Sequence, residues 1–196
     1  MVILIGGSSY VGKTLMAQKL MEKYNVPYFS MDHLKMGICR SNENCGFTPE
    51  SSEEIIIQNL WPIIREIIKT NIENDQKIII EGCYFPESIK DIGIDFLDKI
   101  IIFYIIFSEE YITNNINTKI YDNRSVIEKR DGELKYIIEN IEKYKMEHKN
   151  RKEICIKNGI KYFEILENYE IEIVKVYEWI ENIIKKENIK KWGHFT

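Results

Sequence analysis

The stretch that most constrains this chain is Gly7-Ser8-Ser9-Tyr10-Val11-Gly12-Lys13-Thr14, which satisfies G-x-x-x-x-G-K-[ST] at every fixed position. It follows the apolar run Val2-Ile3-Leu4-Ile5 and precedes Leu15, Met16, Leu20, Met21 and Tyr24, which recur at helical spacing. A strand, a glycine loop and a helix in that order form a cradle for a polyphosphate. Glycines let backbone N–H groups turn toward the anion, and the helix directs the positive end of its dipole at the same point. In such a cradle Gly7, Ser8, Ser9, Tyr10, Val11 and Gly12 wrap the phosphates, Lys13 reaches the β and γ oxygens, and Thr14 holds magnesium.

The remaining chain alternates strand and helix signals. Pro27-Tyr28-Phe29-Ser30 reads as a second strand that delivers Met31-Asp32-His33-Leu34-Lys35 to its C-terminal end, the edge where open parallel sheets bind ligands. A polar loop spans Arg40 to Pro49. A helix follows with a capping box from Ser51 to Glu54 and an apolar stripe of Ile56, Leu60, Ile63, Ile64, Ile67 and Ile68. Pro62 within that stripe predicts a kink or a split. Lys77 to Gly82 reads as the third strand, and Lys99 to Phe107 as a fourth that is buried on both faces. Ser108-Glu109-Glu110 opens a helix. Tyr121 to Gly132 lacks an apolar period and reads as a lid, and a long helix then runs from Leu134 toward Cys155 before Gly159 caps it. Ile160 to Ile165 is a fifth strand. A closing helix carries Ile173, Val174, Tyr177, Ile180 and Ile184, ahead of the basic tail Lys185 to Lys191.

This alternation predicts an α/β domain with a parallel core, and 196 residues suit one domain. A net charge of −4 gives no basic footprint for nucleic acid. The longest apolar run, Ile100 to Phe107, falls short of the roughly 20 residues that span a bilayer. With no basic segment ahead of an apolar stretch at the N-terminus, the expectation is a cytoplasmic protein with no membrane partner, monomeric or homodimeric. Cys39, Cys45, Cys83 and Cys155 show no C-x-x-C spacing and read as reduced thiols, ahead of a zinc site built from Cys39, Cys45 and His33. A GTPase switch needs D-x-x-G and N-K-x-D, and the chain has neither; Asn117-Thr118-Lys119-Ile120 lacks the aspartate.

The complete phosphate loop, an acid after strand two, Ile78-Ile79-Ile80-Glu81-Gly82 at strand three and an arginine-bearing segment after strand four together resemble the adenylate-kinase-like group of small P-loop kinases. The resemblance implies a three-layer α/β/α domain over 1–196 with a five-stranded parallel sheet in the order 2-3-1-4-5. It also implies an acceptor-binding insertion over about 32–73, a lid over about 118–132, and ATP and Mg as cofactors.

Ser30-Met31-Asp32-His33-Leu34-Lys35 is similar to the S-T-G-D-M-L-R segment of adenylate kinases, one residue shorter and with lysine in place of arginine. Glu81-Gly82-Cys83-Tyr84-Phe85-Pro86-Glu87 is similar to their D-G-F-P-R segment, with Glu87 in place of a second arginine. Both departures disfavour a nucleotide acceptor, because lysine does not reproduce a bidentate clamp and glutamate repels phosphate. The implied activity is transfer of the γ-phosphate of ATP to a small hydroxyl-bearing metabolite. A nucleoside monophosphate kinase, a nucleotide-sugar kinase and a non-catalytic nucleotide-binding module are the alternatives.

In the hydroxyl kinases of the group an aspartate after strand two orients the hydroxyl and takes its proton, which makes Asp32 a catalytic candidate alongside Lys13. Asp32 is equally compatible with a helix N-cap, and the two roles do not exclude each other. Arg124 and Arg130 are the candidate lid arginines that neutralise charge on the transferred group. Glu81 either holds magnesium's water shell or the acceptor, or simply ends its strand. Lys35, Arg40 and Tyr84, with Phe85, are the further acceptor candidates.

Overall fold

The computed structural model describes residues 1–120 and 131–186. Its strands and helices, in chain order, are β1 (Val2–Gly7), α1 (Lys13–Tyr24), β2 (Tyr28–Ser30), α2 (Met31–Ser41), α3 (Glu53–Glu73), β3 (Ile78–Gly82), α4 (Ile94–Leu97), β4 (Ile100–Phe107), α5 (Glu109–Asn115), α6 (Asp131–Glu139), α7 (Ile141–Asn158), β5 (Lys161–Ile165) and α8 (Tyr169–Lys186). All five strands are parallel and lie in the order β2-β3-β1-β4-β5, the order that the resemblance implied. β1 sits in the middle, with Val2 opposite both Ile78 and Ile100.

Successive strand residues point to opposite faces, so an isoleucine-rich strand can feed two cores. Ile3, Ile5, Phe103 and Ile105 pack with Met16 and Leu20 of α1 and Val176 and Ile180 of α8. Val2, Leu4, Ile80, Tyr104 and Ile106 pack with Trp61, Ile64 and Ile68 of α3 and Cys155 of α7. Every β1 residue is buried, which is why the run Val2 to Ile5 carries no polar alternation. Each such aliphatic side chain contributes roughly 1.5–3 kcal/mol by leaving water.

Three local expectations are corrected. α3 is not split at Pro62: the proline is exposed, so the carbonyl its missing N–H releases faces water, while Trp61, Ile64 and Ile68 hold both halves of the helix against the sheet. The capping box at Ser51 does not form. The Ser51 hydroxyl accepts from the Thr48 N–H at 2.9 Å, the helix starts after Ser52, and Glu54 bonds its own N–H and the Ser52 side chain. The long helix from Leu134 is two helices. Asn140 leaves helical geometry (φ −122°, ψ 41°), and its side-chain amide donates to the Tyr136 carbonyl at 2.8 Å, a local competitor to the helix ladder.

The expected cap at Gly159 is present, as is the helix start at Ser108, whose hydroxyl accepts from the Tyr111 N–H at 3.0 Å. All four cysteines are free thiols. Among the described residues no helix is long and apolar enough to cross a membrane. Most of the expected lid lies outside the described residues, as do Arg124, Arg130 and most of the basic tail.

Candidate active site

The loop between β1 and α1 bends through Gly7 (φ 147°), Tyr10 (φ 64°) and Gly12 (φ 87°). Gly12 has two reasons to lack a side chain: its positive φ, and a Tyr169 hydroxyl that a Cβ there would overlap. Three loop carbonyls take protein donors. Lys13 Nζ donates to Ser8 O at 2.7 Å, the Tyr144 hydroxyl to Ser9 O at 2.6 Å, and the Tyr169 hydroxyl to Val11 O at 3.3 Å. Because a trans peptide points its N–H opposite to its C=O, the N–H groups of Tyr10 and Gly12 are directed away from those tyrosines. Thr14, partly exposed, stands in the first turn of α1.

Beside the loop, the sheet's C-terminal edge brings acids to the lysine. Glu81, buried near the end of β3, pairs in register with Ser30 and Ile5. Asp32 lies in the first turn of α2, behind an N-cap that is Ser30 and not Asp32 itself. Burial acts against the Lys13 charge, but Cys83, Glu81 and Asp32 outweigh it and raise the ammonium above its ordinary value. Cys83 is partly exposed yet deep enough in the cleft that desolvation pushes its thiol up. The acids facing Lys13 are therefore Glu81 and Asp32.

Lys35 reaches back to the same place. Its ammonium lies 3.2 Å from Asp32 Oδ1 and donates to the Tyr84 hydroxyl at 2.6 Å. Burial, reinforced by Asp32 and Cys83, pushes that hydroxyl up to about 12 in spite of Lys35, so Tyr84 stays protonated. Lys13, Asp32, Lys35, Glu81 and Tyr84 thus form one cluster. Arg40 does not join it: it is exposed in the last turn of α2, about 12 Å along the helix axis from Asp32. Phe85 is buried edge-on against Tyr104, with ring centroids 6.5 Å apart, and belongs to the core. Glu87 is exposed and pairs with Lys157 at 2.9 Å.

Sequence reasoning missed one wall of the site. α7 presents Tyr144, His148, Arg151 and Cys155 at spacings of four, three and four, all buried, toward the phosphate loop and β4. Arg151 Nε donates to Ser8 Oγ at 3.3 Å, and its Nη2 to Glu53 of α3 at 2.8 Å; Glu147 lies 3.6 Å away. Burial opposes the guanidinium charge, but Glu53, Cys83 and Glu147 more than offset it. His148 accepts the Phe107 N–H on Nδ1 at 2.9 Å and stacks on the Phe107 ring. Burial, with Arg151 and Lys13 nearby, pushes its imidazole down to about 3. The available signal was a histidine and an arginine on the apolar stripe that already contained Tyr144 and Cys155.

No protein-family model matches the chain, and no curated protein matches its sequence. Solved structures do match its shape. A provisionally named kinase of Chloroflexus aurantiacus j-10-fl is 12% identical, with 94% of this chain and 96% of that one covered at a TM-score of 0.54. A gluconokinase of Sinorhizobium meliloti 1021 is 11% identical, covering 98% and 97% at 0.52. An uncharacterized protein of Eubacterium ventriosum ATCC 27560 is 19% identical, covering 93% and 98% at 0.50. At these identities the shared property is the fold, a five-stranded parallel sheet in the order β2-β3-β1-β4-β5 with helices on both faces.

Proposed function

We propose that the chain is an ATP-dependent phosphotransferase that moves the γ-phosphoryl group of ATP, with Mg²⁺, to a hydroxyl of a small metabolite. The observation that carries this reading is the convergence of Asp32 and Glu81 on Lys13, the lysine of the phosphate loop. A loop that only stored a nucleotide could use Glu81 for magnesium but would have no need of a second carboxylate, Asp32, at the same lysine. The donor set fits the expected groups: a protonated, buried ammonium and two loop N–H groups suit a triphosphate, while Thr14 with Glu81 suits a magnesium ion and its water shell. Magnesium would supply neutralisation of the charge on the β and γ oxygens.

Asp32 would take the proton of the acceptor hydroxyl, with Lys35 holding its carboxylate in one orientation. The acceptor oxygen then bonds to the γ-phosphorus as the β–γ bridging bond breaks, and that electron pair leaves with ADP. Lys13 and Arg151 would neutralise charge on the transferring group from two sides, and Arg124 and Arg130 are the candidates for a third. The α2–α3 segment would be the acceptor-binding insertion. Lys35 is bound to Asp32 and Tyr84, and Glu87 to Lys157, so neither position offers the arginine clamp a nucleoside monophosphate would use.

The test is acceptor-dependent ADP release over a panel of sugars, sugar acids, aminoglycosides and nucleoside monophosphates, with Lys13→Ala as the blank. Release that no acceptor stimulates would sink the kinase reading.

A further inference from the structure

We infer that His148 is a further phosphate-binding residue of this site: its Nε2–H donates to an oxygen of the γ-phosphoryl group and lets the chain distinguish ATP from ADP. This rests on the kinase reading above and adds a residue to its phosphate subsite. His148 stands on the buried face of α7, between two residues that touch the loop. Tyr144, one turn before it, donates to Ser9 O, and Arg151, one turn after it, donates to Ser8 Oγ.

The hydrogen bonds of the sheet fix where the imidazole lies. Val2 N–H donates to the Lys99 carbonyl on one side of β4, and Ser108 N–H, just after β4, to the Ile165 carbonyl on the other. Along a parallel strand the polar groups of successive residues face alternate neighbours, so the odd-numbered residues of β4 face β1 and the even-numbered ones β5. The Phe107 N–H therefore points to the β1 side, where in the continuing register its acceptor would be the Ser8 carbonyl. By then the chain has turned into the phosphate loop, and Ser8 O accepts from Lys13. His148 Nδ1 takes that place and accepts the Phe107 N–H at 2.9 Å. The imidazole thus lies past the end of β1, beside the loop, with its second nitrogen across the ring from β4.

That second nitrogen is the unsatisfied one. With Nδ1 accepting, Nε2 carries the proton of the neutral ring. His148 is 1% exposed, and its Nε2 has no hydrogen-bond partner among the described residues. A buried donor left unpaired is costly, and a phosphate oxygen would satisfy it. Phe107 stacks on the ring with centroids 5.4 Å apart, and Tyr144 stands nearly perpendicular to it at 4.5 Å, so the donor is held in one orientation. Burial, with the charges of Arg151 and Lys13, keeps the imidazole neutral. A third cation here would repel those two, whereas a neutral N–H adds a hydrogen bond without that repulsion. Lys13 and Arg151 are the cations assigned above to the transferring group, which puts the oxygen that His148 meets on the same group.

The experiment is calorimetric titration of AMP-PNP, a non-hydrolysable ATP analogue, and of ADP onto the native chain and onto His148→Asn. The asparagine oxygen can still accept the Phe107 N–H, but its amide falls short of the Nε2 position. The variant should lose about tenfold or more in affinity for AMP-PNP and less than about twofold for ADP. Equal affinity of both proteins for AMP-PNP, or an equal loss for the two nucleotides, overturns the inference and leaves the kinase reading standing. A native chain that binds neither nucleotide overturns both. If the variant does not fold, the native chain with isotope-labelled histidine decides by nuclear magnetic resonance. The Nε2 proton of His148 should move downfield on addition of AMP-PNP and stay in place with ADP. An N–H held against the Tyr144 ring instead would move with neither, and that result, or the same move with both, overturns the inference.

Discussion

On the loop side of Arg151 the contacts run to backbone: Lys13, Tyr144 and Tyr169 bond the carbonyls of Ser8, Ser9 and Val11. On its other side, toward α3 and the segment after β3, they run between side chains, Arg151 to Glu53 and Lys157 to Glu87. A polyphosphate looks the same in every nucleotide, so a main-chain cradle can be spelled in eight consecutive residues. Pairs between side chains join positions 98 and 70 apart, and no run of consecutive residues spells them. The loop side should therefore fail all at once when altered, and the side of the ion pairs by degrees.

The sharpest break is Lys13→Ala, which should lower ATP-dependent turnover by at least about 10³-fold in an ADP-release assay, with far-UV circular dichroism unchanged. Asp32→Asn should lower kcat by roughly 10²-fold or more while the Kd for ATP stays within about twofold. Full activity in that variant would move Asp32 from the chemistry to the frame.

His148 tests the loop side by pH. Its folded-state pKa, near 3, lies below the unfolded value of 6.5, so between those limits the unfolded chain binds the extra proton. The contribution is fully present above pH 6.5 and is lost as pH falls, by up to about 1.4 kcal/mol per pH unit. His148→Gln should flatten the difference in urea stability between pH 7 and pH 4, and a slope equal to that of the native chain would refute the buried neutral imidazole.

Arg151→Met should cost about 2 kcal/mol by urea titration, below the full penalty for a buried ion pair because the Glu53 side chain is 40% exposed. Arg151→Lys should recover part of that stability but not the activity, since one ammonium does not serve Ser8 and Glu53 together. The smallest effect belongs to Gly6→Ala. Displacing the Tyr104 ring should cost about 1–2 kcal/mol, read as a melting shift of a few degrees.

The strands and the loop were legible because isoleucine runs, glycines and a capping Gly159 act locally, whereas the strand order came only from the resemblance to small P-loop kinases. Asp32 and Glu81 could be placed because one follows β2 directly and the other lies next to the end of β3, and the sheet carries strand ends to one edge. Arg151 was hidden because its partners, Ser8 and Glu53, come from elements 143 and 98 residues away, and no local pattern encodes such a meeting. Pro62 does not split α3 for a related reason: the helix is held by the sheet beneath it, which outweighs a local breaker. At Asn140 the error ran the other way, because an unbroken apolar period concealed a side-chain amide that turns the chain.

The bond from Tyr169 to Val11 joins residues 158 positions apart. At about 5–20 residues per second, a ribosome delivers Tyr169 roughly ten to thirty seconds after the loop it backs. Through that interval the nascent chain carries a complete phosphate-binding motif without the helix that braces it, so full nucleotide affinity should arrive only as synthesis passes α8.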